Sequence, residues 1–88
     1  VQLGFVNEVV PHEELMSAAM SWAKQICECA PLSIRASKDV VYQSVDSASL
    51  QDAMEANYES VQAMIKSEDF IEGPKAFSEK RPPRWQGK

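Results

Sequence analysis

Phe77, Lys80 and Arg81 stand at spacing i, i+3 and i+4 near the end of the chain. On a helix this spacing puts an aromatic ring and two cationic heads on one side. Such residue types suit an adenine nucleotide, whose base lies against the ring while its phosphates meet the charges. A base stacked on an aromatic ring is worth about 1–3 kcal/mol in single-strand complexes, whereas one exposed ion pair contributes less than about 1 kcal/mol. Phe77 should therefore matter more than either cation. The same spacing also describes a core anchor beside a solvated cationic face, and spacing alone favours that plainer use.

Charge is unevenly placed. Residues 74–88 carry Lys75, Lys80, Arg81, Arg84 and Lys88 against Glu79, a net +4, so residues 1–73 carry −8 to give the whole chain −4. So short a basic patch on an acidic chain serves sequence-independent nucleic-acid binding poorly. Two acidic pairs, Glu13 with Glu14 and Glu68 with Asp69, invite an acid–base reading, but that work needs carboxyls held in a pocket with displaced pKa values. Both pairs fall at helix starts, where carboxylates complement the positive end of the dipole and are expected to be solvated. His12 is the only histidine, beside a helix start. Cys27 and Cys29 form a C-x-C on a predicted helix, where they point to different faces and a bridge would be strained, so both are expected as reduced thiols. No zinc-type ligand set follows from one histidine and one cysteine pair. There is no G-x-S-x-G elbow or glycine-rich phosphate loop, and three glycines could scarcely build one. No catalytic residue, metal or required cofactor is predicted within the chain.

With 88 residues and 44% apolar side chains, the chain has the size of one small domain. Such a domain buries only roughly 60–65% of its unfolded surface. Lacking disulfides and metal, it has association as the remaining route to stability. No apolar run approaches the roughly 18 residues of a membrane span, no signal peptide is visible, and membrane partners are not expected. The opening "VQLGFVNEVV", without methionine, reads as a piece of something longer. Residues 5–10, "FVNEVV", read as a short strand closed by Pro11, with no convincing partner strand later. From Pro11 the period changes to three and four, through Leu15, Ala18, Ala19, Trp22, Ile26 and Cys29, giving an amphipathic helix ended by Pro31. Pro31 starts a second helix along Ile34, Lys38, Val41 and Val45. After a polar break, Ser49 with Asp52 resembles a capping box opening a third helix, whose stripe runs Leu50, Ala53, Met54, Tyr58, Val61, Met64 and Ile65. Ser67 caps a short turn, and Pro74 suits the first position of a last short helix, "PKAFSEK", stopped by Pro82 and Pro83. The expected fold class is mainly α: one N-terminal strand, three longer amphipathic helices and a short C-terminal helix. The apolar faces, with Met16, Met20 and Trp22 among them, exceed what one core encloses, so part of that surface should meet another polypeptide.

Three segments, "LGFVNEVVPHEEL", "APLSIRASKDVV" and "SEDFIEGPKAFSEKRPPRWQGK", together resemble the C-terminal region of the crotonase superfamily, the enoyl-CoA hydratases and isomerases. The resemblance covers nearly the whole chain and is most specific at its end, S-E-D-x-x-E-G-x-x-A-F-x-E-K-R-x-P followed by an aromatic. It implies that residues 1–10 close an upstream α/β core and that residues 11–88 form the helical C-terminal oligomerisation region, which assembles with other copies into trimers or hexamers. It also implies that Phe77 and Lys80 approach the adenine and 3′-phosphate end of a coenzyme A bound largely by a neighbouring subunit. The family's oxyanion amides and proton-moving acids belong to the upstream core, so no catalytic residue carries over to this chain. The implied parent is an acyl-CoA lyase or isomerase of fatty-acid or related metabolism, in the bacterial cytoplasm or a mitochondrial matrix. Arg84 and Trp85 depart from the small residue and phenylalanine usual after the Lys-Arg pair. The alternative is a self-standing helical protein-interaction module.

Overall fold

Pro31 sits where a proline does a helix no harm, because its missing N–H falls among the donors that a first turn leaves free. In the computed structural model, which describes residues 1–88, helix α2 begins at that proline and spans Pro31–Ser44. Ahead of it, a 3-10 turn at His12–Glu14 leads into α1, Leu15–Cys27. Behind it come α3, Leu50–Glu55, α4, Glu59–Ile65, and α5, Glu68–Ser78. Two of the starts use the expected serine caps: Ser49 Oγ accepts from the Asp52 N–H at 3.0 Å, and Ser67 Oγ from the Phe70 N–H at 3.2 Å.

Three expectations are corrected. Residues 5–10 are not a strand, and the chain is all-helical. Their β-branched composition suits extended backbone, but a strand exists only where a ladder pairs its N–H and C=O groups, and no other segment supplies one. The third helix is two helices, parted at Ala56 and Tyr58, which take extended backbone. Tyr58 turns inward there to 8% exposure, and its hydroxyl donates to the Ala53 carbonyl at 2.6 Å. Its own carbonyl receives the N–H groups of Val61 and Gln62, both at 3.1 Å, and so opens α4. Pro74, finally, lies inside α5 rather than at the start of a separate helix. A proline there removes the bond to the Phe70 carbonyl, so contacts elsewhere on α5 must offset the loss.

Packing centres on α2 and α4. Asp39 of α2 accepts from the Ser60 hydroxyl of α4 at 2.6 Å and from the Gln43 amide at 2.7 Å, and these bonds, Ser60 first, hold its carboxyl below the usual range. The enclosed core is small: of the apolar side chains only Ala36, Tyr58 and Ala76 are buried. The molecule is flat, 43 × 41 × 18 Å, with a radius of gyration of 16.5 Å where a compact chain of this length would have roughly 12 Å. Its accessible surface is 7581 Å², against roughly 5,200 Å² for a compact monomer of 9.8 kDa. The surplus exceeds the roughly 800 Å² that one partner contributes to an ordinary interface. Large apolar side chains are exposed along the whole chain, among them Leu3, Phe5, Met16, Met20 and Ile26 in its first third and Val45, Leu50, Met54 and Ile71 beyond, each more than half exposed.

Candidate functional site

Asp69, Glu72, Gly73 and Ala76 recur at i, i+3, i+4 and i+7 and therefore share one face of α5. The C-terminal residues fold back onto that face. Asp69, only 3% exposed, accepts the N–H groups of Gln86 at 2.8 Å and Gly87 at 2.7 Å, while its own N–H donates to the Lys88 carbonyl at 3.1 Å. Glu72 receives two guanidinium nitrogens of Arg81, at 2.6 and 3.1 Å, and the Arg84 N–H at 2.9 Å. The Trp85 ring lies over Gly73, so that a Cβ added there would stand 3.4 Å from the ring edge. Trp85 Nε1–H reaches across to donate to the Glu28 carbonyl at 2.8 Å, tying the tail to the end of α1. The expectation of a solvated Asp69 is thus corrected, whereas Glu13, Glu14 and Glu68 are exposed. The Arg81 guanidinium, followed by the Arg84 amide, holds the Glu72 carboxyl down at about 2.

The same clasp fixes the end of α5. The helix stops at Ser78, and Lys80 takes the left-handed conformation at φ 53°. Its N–H donates to the Phe77 carbonyl at 3.2 Å, and the Arg81 N–H donates to the Ala76 carbonyl at 3.1 Å, the paired bonds of a left-handed C-cap. Phe77, Lys80 and Arg81 therefore do not share a helical face as their spacing suggested. Arg81 turns back to Glu72 and Glu79. Phe77 projects with 87% of its surface exposed, so within this chain it is not a core anchor. Lys80 is exposed and makes no ion pair in the chain. What remains outward is one aromatic ring and one unpaired ammonium three residues apart.

The other candidates do not join them. His12 is exposed in its 3-10 turn, and Cys27 and Cys29 are free exposed thiols at and just beyond the end of α1. No three His, Cys, Asp or Glu side chains lie close enough together to hold a metal ion. A groove of about 250 Å³ opens where Leu32 of α2 faces Phe70 and Pro74, and neither Phe77 nor Lys80 lines it. No helix is long and apolar enough to cross a membrane. Asp69 and Glu72 were the residues missed from sequence. Their signal was the i, i+3, i+4, i+7 run of acidic and small residues facing a basic tail.

The sequence pattern of the enoyl-CoA hydratase/isomerase family matches residues 1–88. The chain belongs to that family. A carnitinyl-CoA dehydratase of Escherichia coli is 41% identical over 97% of this chain and 34% of its own length. Among solved structures, an enoyl-CoA hydratase/isomerase from Mycobacterium paratuberculosis superposes with a TM-score of 0.90 at 31% identity, over 99% of this chain and 34% of that one. An enoyl-CoA hydratase from Bacillus anthracis gives a TM-score of 0.87 at 28% identity, over 99% and 33%. The chain thus spans about a third of the length of these hydratase/isomerase relatives. Within the family match, the all-helical arrangement with its folded-back tail is the part of the architecture that this chain carries.

Proposed function

We propose that these residues serve as the helical C-terminal portion of an enoyl-CoA hydratase/isomerase, covering the adenine and 3′-phosphate end of an acyl-CoA with Phe77 and Lys80. The observation that carries this reading is the outward pair: an 87% exposed phenylalanine ring and, three residues on, an ammonium with no partner in the chain. An aromatic left in water contributes no burial energy until something covers it, and a nucleotide base and its phosphate match the two groups in kind. The names of the relatives, a carnitinyl-CoA dehydratase and enoyl-CoA hydratases, are those of proteins acting on coenzyme A thioesters.

The surplus apolar surface supports the second half of the reading. Residues 1–10 and α1 lie against the rest of such a subunit and its neighbours in a trimer or hexamer, as a self-standing module with its own closed core would have no need to do. In this reading the oxyanion donors and acid–base groups lie in other parts of the intact protein, and these 88 residues alone do not turn over substrate. The compartment would be the bacterial cytoplasm or a mitochondrial matrix, and the relatives named above are bacterial. The test is coenzyme A affinity in the intact protein. Phe77→Ala should weaken it roughly 5- to 150-fold, the equivalent of one lost base stack. An unchanged dissociation constant would count against the reading.

A further inference from the structure

Lys80 is held in a conformation that side-chain-bearing residues rarely adopt, φ 53°, and such conformations persist only where their surroundings over-determine them. The surroundings here converge on Glu72. Its carboxylate grips Arg81 through two nitrogens and takes the Arg84 N–H as well, anchoring the two residues that carry the chain away from Lys80. On the other side, the Lys80 N–H to Phe77 and the Arg81 N–H to Ala76 lock the turn onto α5. Lys80 is thereby clamped between a helix end and an ion pair, with only its side chain free. Arg81, the next residue, is engaged by the same carboxylate and by Glu79.

We propose that Glu72 is a positioning residue for phosphate recognition, fixing through Arg81 the turn from which Lys80 extends. This rests on the reading of Lys80 as a ligand of the 3′-phosphate and adds to it a residue that never touches the coenzyme. Glu72 thereby holds the backbone from which the unpaired Lys80 side chain extends. Phosphate preference then depends on where the Lys80 backbone is held, and that depends on the Glu72–Arg81 fork.

The experiment compares the intact protein's affinity for coenzyme A and for dephospho-coenzyme A, which lacks only the 3′-phosphate. Native protein should prefer coenzyme A about tenfold, as one charge-assisted contact implies. Lys80→Ala should abolish the preference. Glu72→Gln should cut it at least about threefold, and the Lys80→Ala/Glu72→Gln double variant should lose no more than Lys80→Ala alone, because the two residues act as one unit. Arg81→Lys, which keeps the charge but not the two-pronged grip, should reproduce the Glu72→Gln loss and guards against a folding defect in either variant. A general loss of structure would weaken both ligands alike and leave their ratio unchanged. If Lys80→Ala abolishes the preference while Glu72→Gln and Arg81→Lys leave it intact, the positioning role is overturned and the Lys80 reading stands. If Lys80→Ala itself leaves the preference intact, the underlying reading falls and the inference with it.

Discussion

Replacing Asp69 by alanine strips the acceptor from two backbone amides at once, those of Gln86 and Gly87, at a position only 3% exposed. A buried N–H left without a partner costs about 1–3 kcal/mol, and with Gln86 exposed and Gly87 half-buried a tail that stayed in place would lose on the order of 2–3 kcal/mol in all. The tail has a cheaper course. Residues 84–88 can peel into water, where each residue regains about 1–2 kcal/mol of backbone entropy. Against release stand the Arg84 amide on Glu72, the Trp85 bond to Glu28 and the Lys88 carbonyl on the Asp69 N–H, contacts too few to hold two orphaned donors in place. The expected outcome is local detachment with the helices intact. Amide hydrogen exchange reads this directly: protection at Gln86 and Gly87 should fall at least about 100-fold in Asp69→Ala, corresponding to about 2.7 kcal/mol, while the α2 and α4 amides keep theirs. Asp69→Asn, which retains one acceptor oxygen, should fall between. Unchanged protection at Gln86 and Gly87 in Asp69→Ala would show that the carboxylate does not hold the tail.

Lys80→Gly should stabilise the end of α5 by up to about 1 kcal/mol, because glycine accepts the left-handed conformation without steric cost; denaturant titration checks the gain, and a loss of stability would contradict the cap geometry. Glu72 titrates at about 2 rather than at its ordinary 4.5, so its share of the clasp is complete above about pH 4.5 and disappears as pH falls through about 2. Trp85 fluorescence, followed in a Trp22→Phe background, should therefore change with a midpoint near 2, and a midpoint near 4.5 would mean that the Arg81 contact does not form. Gly73→Ala places a methyl 3.4 Å from the Trp85 ring, an ordinary contact, and gains helix propensity, so it should be neutral or stabilising by up to about 1 kcal/mol. Gly73→Val adds two methyls beneath the ring and should displace Trp85, which loss of protection at its indole N–H would report.

What the sequence disclosed was what local chemistry decides. Ser49 and Ser67 cap the helices they precede, and Pro31 opens the helix it was assigned to, because each depends on groups within four residues. The breaks and turns that escaped depend on distant or non-repeating partners. Tyr58 fits the apolar stripe of one continuous helix, yet it is buried by swinging out of helical register, an outcome no periodicity encodes. Pro74 looked like a beginning because the strength of α5 comes from a tail that docks on Asp69, Glu72 and Gly73 rather than from the helix itself. Asp69 was read beside Glu68, its neighbour in the chain, when its meaningful companion was Glu72, three residues on. Phe77 and Lys80 were singled out by the end signature and by their residue types, but the face they were expected to share with Arg81 required a helix continuing past Ser78. The left-handed turn at Lys80 broke it. A lysine gives no hint of a turn that glycine would have announced.

Photolabelling the intact protein with an azido-adenine analogue of coenzyme A, then mapping the modified residue by mass spectrometry, asks whether the adenine lies where the exposed ring suggests. Label on the segment around Phe77, lost on competition with coenzyme A, is the expected result. Competable label confined to other segments of the protein would contradict the assignment of Phe77 and Lys80 to the coenzyme.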